Sequence, residues 1–400
     1  MIHPTRRIAL IYDARSTYDL KVMSGVAAYL QEGHHYSVFI EENALKDQRL
    51  PDLRSWEGDG IIGNFDDPGI ARRVTQARLP VVGFGGGYGW YVAGSAIPYF
   101  YTNNKAIATL TADHLLDRGI KHFAYCGYAK SPINGWSQER QDAFESYLRK
   151  RATSCAIFDR FPRSNHNWAT LQRSLGEWLK KLPKPLGVMA ANDNRGRQVL
   201  EACRAYDIAV PDEVAVVGVD NDELLCRLSS PPLSSVEQGA KGLGYAAAAL
   251  LDQMILGHSS RKRQYVFDPT TVVTRQSTDV LAIDDPKVAQ AMTFIRDRSS
   301  EGIKVPQVVS AVAISRSGLE NRFASALGYS IHTAIGHTKL ERVRRLVSET
   351  DLPPKQIAAD AGFKSVQHMT TLFVRGFGQT PGSSWAIARV RPTMAAFAVT

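Results

Sequence analysis

Short apolar runs without polar alternation recur along the first 275 residues. They are Arg7–Tyr12, Tyr36–Ile40, Gly60–Gly63, Val81–Phe84, His122–Cys126, Leu186–Ala190 and Val214–Val219. Runs of this kind fit strands buried on both faces of a parallel sheet. Between them lie stretches of helical period. Tyr18–Leu30 aligns Val22, Val26, Ala27 and Leu30, and Asn104–Leu116 aligns Ile107, Leu110 and Thr111 with His114 and Leu115. Trp168–Leu182 aligns Leu171, Leu175, Trp178, Leu179 and Leu182, and Gly239–Leu256 is rich in Ala and Leu. Most simply, these stripes are core. The alternation predicts an α/β fold of parallel sheets flanked by helices. It stops near Thr274–Arg275, and Arg275–Pro286 (RQSTDVLAIDDP) reads as a linker. The rest of the chain reads as helices. The expected domains are 1–275, a linker at 276–286, and an all-α domain at 287–400.

In open parallel sheets, ligands sit at the carboxyl ends of the strands. The residues there are Asp13, Asn64–Asp67, Gly85–Gly87, Gly127–Tyr128, Asn192–Asp193 and Asp220–Asp222. The set is acidic, amide-rich and aromatic, which suits a neutral polyol. A carboxylate accepts from hydroxyls, and an aromatic face packs on a sugar ring. The glycine run Gly85–Gly87 continues into Tyr88-Gly89-Trp90 rather than opening a helix, so it reads as a loop and not a phosphate cradle.

The helical segment repeats itself at an offset of 50 residues. Val308 pairs with Ala358, Ala311 with Ala361, Ser315 with Ser365, Leu319 with Met369, Phe323 with Phe373, and Leu327 with Phe377. Gly328 pairs with Gly378, Ile331 with Pro381, and Ile335 with Trp385. Each copy has a short helix, a tight turn, a Ser suited to N-capping, and a second helix with apolar residues at i, i+4, i+8. That is a helix-turn-helix pattern. The first turns of the second helices carry Ser315, Arg316, Ser317, Glu320 and Asn321 in copy one, and Ser365, Gln367, His368 and Thr371 in copy two. All can bond base edges or phosphates. The plainer alternative is solvated helix surface.

Composition then narrows the field. With 400 residues, 44% hydrophobic and 22% charged, the chain is neither disordered nor of low complexity. No apolar run approaches the ~18–20 residues a bilayer span needs, and the start MIHPTRRIALIYD is interrupted too soon for a signal segment. Cys126, Cys155, Cys203 and Cys226 form no CxxC pair, so no metal site is expected and a cytoplasmic, reduced chain is. The net charge of +9 is concentrated: Pro286–Thr400 holds 15 Lys/Arg against 7 Asp/Glu. A basic terminal domain on a neutral body points to a polyanion partner for that domain, or to a solubility surface.

Ile357–Pro381, IAADAGFKSVQHMTTLFVRGFGQTP, resembles the signature of AraC/XylS-type transcription regulators, and the likeness covers about Lys287–Arg389. It departs at His368-Met369, where aromatics are usual, and at Gly376, which weakens the helix by about 1 kcal/mol relative to Ala. Arg7–Thr274 resembles the sugar-binding core of LacI/GalR regulators, relatives of periplasmic sugar-binding proteins. The likeness rests on Ala190–Asp193, VAVVGVD at Val214–Asp220, Leu233–Val236, and Arg140 before Ala143-Phe144. The LacI-type headpiece is expected to be missing, since Arg7 already opens a strand. A LacI-like sensor ahead of an AraC-like reader resembles the regulators of bacterial xylose operons. Phe39–Glu42, Gly58–Ile62, Phe65–Asp67, Gly218–Glu223, Arg275–Asp279 and Gly302–Phe323 extend that likeness along the chain.

The resemblance implies a two-lobed sensor and a seven-helix reader that activates transcription. It further implies D-xylose or a similar pentose as effector, double-stranded promoter DNA and RNA polymerase as partners, a homodimer, and no cofactor or membrane. It makes Asp220 the principal hydroxyl acceptor, with Asn221 beside it, and Arg140 a donor to sugar oxygens. Of Asn192 and Asp193, one faces ligand and the other caps a helix. Asp13, Tyr18 and Trp136 add a polar group and two stacking surfaces. Arg316 and Asn321 would read bases, Gln367 and His368 would position, and Arg375 would meet phosphate. No GxSxG, HExxH or phosphate loop supports an enzyme. A sugar-processing enzyme with a DNA-binding tail, or a ligand-independent DNA-binding scaffold, remain the alternatives.

Overall fold

The computed structural model describes residues 5–32, 36–41, 56–87, 97–161, 168–258, 263–279, 285–349, 352–377 and Thr380. The chain divides into two units, Met1–Val280 and Leu281–Thr400.

The first unit holds two six-stranded sheets. One contains β1 (Arg6–Ile11), β2 (Tyr36–Glu41), β3 (Gly60–Asn64), β4 (Val81–Gly85), β5 (Tyr99–Thr102) and β11 (Gln264–Phe267), in the order β11-β5-β4-β3-β1-β2, all parallel. The other contains β6 (His122–Cys126), β7 (Cys155–Ile157), β8 (Leu186–Ala190), β9 (Val214–Val219), β10 (Ser234–Glu237) and β12 (Thr271–Val273), in the order β12-β10-β9-β8-β6-β7, with β12 antiparallel. All seven strands expected from sequence are present. The five unexpected ones are only three or four residues long.

The four expected helices form as Thr17–Leu30, Asn104–Leu116, Trp168–Lys181 and Ala240–Ile255. The face of Thr17–Leu30 differs from expectation. Tyr18, Val22, Gly25, Val26 and Tyr29 are buried, and Ala27 is exposed. Gly25 and Gly244 set that face, because a Cβ on either would lie 1.9 Å from a carbonyl oxygen of the opposite helix. The two backbones therefore meet directly.

The chain passes between the lobes three times, near Asn103, Gln238 and Asp268. These crossings are tied together. Asn103 N–H donates to Phe267 O at 2.8 Å, and Thr270 N–H donates to Glu237 O at 2.9 Å. The expected linker begins later than its polar sequence suggested. Gln276–Thr278 is a tight helical turn in which Ser277 and Thr278 are fully buried. Ser277 Oγ donates to Val216 O at 2.6 Å, so these hydroxyls bond inward and not to water.

Six α-helices of the second unit lie within the described residues: Pro286–Arg298, Val305–Val312, Arg316–Leu327, Ile331–Glu349, Pro354–Asp360 and Val366–Phe377. The expected seventh helix and the repeat partners Gly378, Pro381 and Trp385 lie outside the described residues. The helices build two small cores that share the helix Ile331–Glu349. Ile331, Ala334 and Ile335 serve the first core, and Leu340, Val343 and Val347 the second. The sequence repeat is a packing repeat: Leu319 and Met369, Phe323 and Phe373, and Val308 and Ala358 are all buried. A lysine caps the first helix of each copy, Lys287 Nζ on Val312 O at 3.1 Å and Lys339 Nζ on Gly362 O at 2.9 Å.

Candidate functional site

The carboxyl ends of β1, β3, β4, β6, β8 and β9 converge on a buried polar cluster with Arg140 at its hub. Arg140 is only 2% exposed. Its Nε donates to Asn104 Oδ1 at 2.7 Å, Nη1 to Ala191 O at 2.6 Å, and Nη2 to Gln238 Oε1 at 2.8 Å. Gln238 Nε2 in turn donates to Asp220 Oδ1. Asn104 Nδ2 spans from Gly86 O (2.9 Å) to Glu139 Oε2 (2.8 Å). Asp66 accepts from Gly86 N–H at 2.9 Å, and Tyr18 OH donates to Gly85 O at 2.6 Å. The glycine run is what lets the chain pass here. A Cβ on Gly85 would strike Tyr99 OH and Asp66, and one on Gly87 would strike Glu139. Its groups are committed within the protein, consistent with a loop.

Carboxylates outnumber cations in this cluster. Burial pushes Asp66 up to about 8, opposed by the Gly86 N–H. Burial also pushes Asp220 up to about 7, opposed by Arg140 and Lys21, and Asp19 up to about 6. Such a cluster lacks donors, and a polyol supplies them. Trp136 is half-buried, with Arg140 over its ring at 4.8 Å and Tyr128 edge-on at 5.8 Å. Lys21 and Thr17 of the first lobe reach across the cleft. Lys21 bonds Asp220 O at 2.6 Å and pairs with Glu237, and Thr17 Oγ1 donates to Asp222 at 2.5 Å.

The expected ligand residues divide. Asp220, Arg140, Tyr18 and Trp136 gather at the cluster. Asn192 Oδ1 caps its helix, accepting from Arg195 N–H at 3.0 Å, and also accepts from Tyr128 OH at 2.9 Å. Asp193 does not present to the cleft. It is fully buried and holds Ser235 Oγ at 2.5 Å and Asp222 N–H at 2.6 Å, bracing the turn after β9. Asn221 is likewise turned away, with Oδ1 accepting from Arg275 at 2.8 Å and Nδ2 donating to Glu237 at 3.2 Å. Its backbone and that of Asp220 lie at φ 48° and 110°. Asp13 is chelated by Arg15 at 2.8 and 2.9 Å, and the buried first-lobe carboxyl is Asp19 instead. Asp66, Asn104, Glu139 and Gln238 were not among the expected residues. Of these only Asp66 carried a signal, its place after β3. Among the described residues no group of His, Cys, Asp and Glu could hold a metal.

In the second unit, Ser315 caps its helix through Gly318 N–H at 3.2 Å, and Ser365 accepts from His368 N–H at 3.2 Å. Arg316, Ser317, Asn321, Gln367, His368, Thr371 and Arg375 are exposed. Arg316 Nε donates to Glu320 at 2.9 Å, and Thr371 Oγ1 donates back to Gln367 O at 2.9 Å. The His368 ring packs edge-on to Phe363 at 5.8 Å. Arg322 anchors the helix Arg316–Leu327 to Asp285 at 2.7 Å.

Comparison with known proteins accounts for both units. Residues 7–105 match a XylR N-terminal domain, 112–278 a periplasmic binding protein-like domain, and 308–384 a helix-turn-helix domain. The xylose operon regulatory protein of Escherichia coli K12 is 36% identical over 95% of this chain and 97% of its own length. That of Haemophilus influenzae is 35% identical over 94% and 97%. A solved structure described as the xylose-binding transcription activator xylR superposes with a TM-score of 0.78 at 35% identity, covering 97% of this chain and 99% of that one. With likeness running unbroken through sensor and reader, the chain belongs to the xylose operon regulatory protein family.

Proposed function

We propose that this protein is a D-xylose-responsive, sequence-specific DNA-binding activator of xylose catabolism genes. The carrying observation is a buried, acceptor-rich cleft on the same chain as two helix-turn-helix copies with exposed polar first turns. The names of the relatives point to the same pairing of sugar and transcription. In this reading Asp220 and Asp66 accept sugar hydroxyls, Arg140 donates, and Trp136 covers the ring. Arg316 and Asn321 read bases, Gln367 and His368 of the second copy supply more of the positioning, Ser315 and Ser365 cap the two helices, and Arg375 meets phosphate. The protein acts in the cytoplasm as a homodimer and contacts RNA polymerase. Leu224 and Leu228, 68% and 71% exposed, offer a second copy an apolar face.

Sugar shifts the lobes only by its differential affinity for their arrangements, and moving a population from 1:99 to 99:1 takes about 10⁴-fold. Calorimetry with D-xylose, L-arabinose and D-ribose, alongside binding of a labelled promoter fragment, tests the reading. Saturable D-xylose binding without turnover, coupled to DNA affinity, is expected. Turnover would establish the enzyme reading, and absence of pentose binding the scaffold.

A further inference from the structure

We propose that Arg195 is the cationic half of a second binding site beside the cleft, for a small oxyanion carried on a polyol. Arg195 stands in the first turn of the 13-residue helix Asp193–Ala205 and is 4% exposed. Its Nη1 donates to Gln198 Oε1 at 2.6 Å. Its guanidinium lies over the Tyr128 ring at 4.3 Å, with Phe161 at 5.7 Å. Its Nε is buried without a hydrogen-bond partner, and among the described residues it stands in no ion pair with a carboxylate. A buried guanidinium is normally matched by an anion, because the charge has lost its water. Arg140, by contrast, uses Nε and both Nη groups.

The unused edge is specific. Nε and one Nη form the side-on fork that grips a carboxylate or phosphoryl group through two parallel bonds. The site adds a second positive contribution, since the helix N-terminus carries partial positive charge and favours anions. The acidic residue of that turn does not cancel it, because Asp193 points away to Ser235 and the Asp222 N–H. Tyr128 fixes the place: its hydroxyl bonds the N-cap Asn192 while its ring supports Arg195.

Stacked side chains link the site to the pocket residues. Arg195 stacks on Tyr128, Tyr128 meets Trp136 edge-on, and Trp136 lies under Arg140. An oxyanion at Arg195 is thus separated from the Arg140 cluster by two aromatic rings, which suits an acidic or phosphorylated sugar derivative. Such a ligand arises from a sugar by oxidation to the acid or by phosphoryl transfer. The inference stands whichever sugar the pocket prefers.

Calorimetry on the full chain tests it with three probes: inorganic phosphate, D-xylonate and D-xylulose 5-phosphate, with D-xylose in parallel. At least one anion is expected to bind saturably. Arg195→Gln should weaken it roughly tenfold or more, while changing D-xylose affinity less than about threefold. Tightest binding of phosphate assigns a free anion, and tighter binding of xylonate or xylulose 5-phosphate assigns the sugar-borne one. No saturable binding of any of the three, or binding unchanged in Arg195→Gln, overturns the proposal. If that variant does not fold, Arg195→Lys serves, since it keeps the charge and loses the fork, and unchanged anion affinity there has the same force. Loss of D-xylose binding with anion binding intact counts against the pocket reading alone.

Discussion

Raising the pH of a D-xylose titration from 7 to 9 is expected to tighten binding roughly twentyfold. Asp66 carries its proton up to about 8 because burial disfavours its charge. At pH 7 about ten molecules in eleven therefore hold Asp66 neutral, and a sugar hydroxyl donates fully only to the ionised form. Releasing that proton accounts for about tenfold. Asp220, pushed to about 7, is half-protonated at neutral pH and adds about twofold. Asp19, at about 6, is already ionised, held by Asn64 Nδ2 at 2.8 Å and Asp13 N–H at 2.9 Å. The sign for stability is opposite. Both carboxyls bind protons more tightly in the folded, empty sensor than in the unfolded chain. The empty sensor therefore loses stability as pH rises from about 4 to about 8. D-xylose should accordingly raise the melting temperature more at pH 9 than at pH 7. Calorimetry in two buffers of different ionisation heat measures the released proton directly. A flat affinity from pH 7 to 9, or an unchanged slope in Asp66→Asn, refutes the reasoning.

Asp220→Asn should keep the shape of the site but remove its charge, lowering D-xylose affinity roughly 10- to 150-fold and sparing sugar-free DNA binding. Unchanged calorimetric affinity would contradict that role. A fragment from Asp285 to Thr400 should fold and bind promoter DNA without sugar control and with steep salt dependence, and a folded fragment inert at low salt would contradict it. Gly362→Ala should destabilise the second unit by about 2 kcal/mol or more, because φ is +75° and the new Cβ would lie 2.4 Å from Ser299 O. A denaturation midpoint that does not move would show that the turn relaxes. Arg316→Ala should relax preference at one or two base pairs by about 1–3 kcal/mol. Binding-site selection in which Gln367→Ala does so instead reverses the roles of the copies.

How legible the chain was depended on the range of the interactions. The long strands and the 50-residue repeat announced themselves because burial imprints local period and spacing. Asp220 and Arg140 were legible because one ends a strand and the other sits in a recognisable local motif. The crossing residue Gln238 was silent. It matters only because Arg140, 98 positions away, needs an acceptor there. Asp193 looked like a ligand residue by position. Its orientation depends on Ser235 and on the turn after β9, contacts that no local pattern encodes. The strands β5, β7, β10, β11 and β12 were missed for a different reason: three or four residues carry too short an apolar run to stand out.

The order of strands in the two sheets has a consequence for synthesis. In the first sheet the edge of β5 is covered by β11, and in the second the edge of β10 is covered by β12. Both covering strands come from one stretch, residues 264–273, at the end of the sensor. Until that stretch leaves the ribosome, each lobe carries an open edge of unpaired N–H and C=O groups, a template for pairing with another chain. Every message truncated before Phe267 thus encodes a chain prone to aggregate, not a smaller sensor. The helical unit, contiguous in sequence, is translated only after both closing strands have been made. A nascent chain therefore acquires its helical unit only once every strand of the sensor has been synthesised.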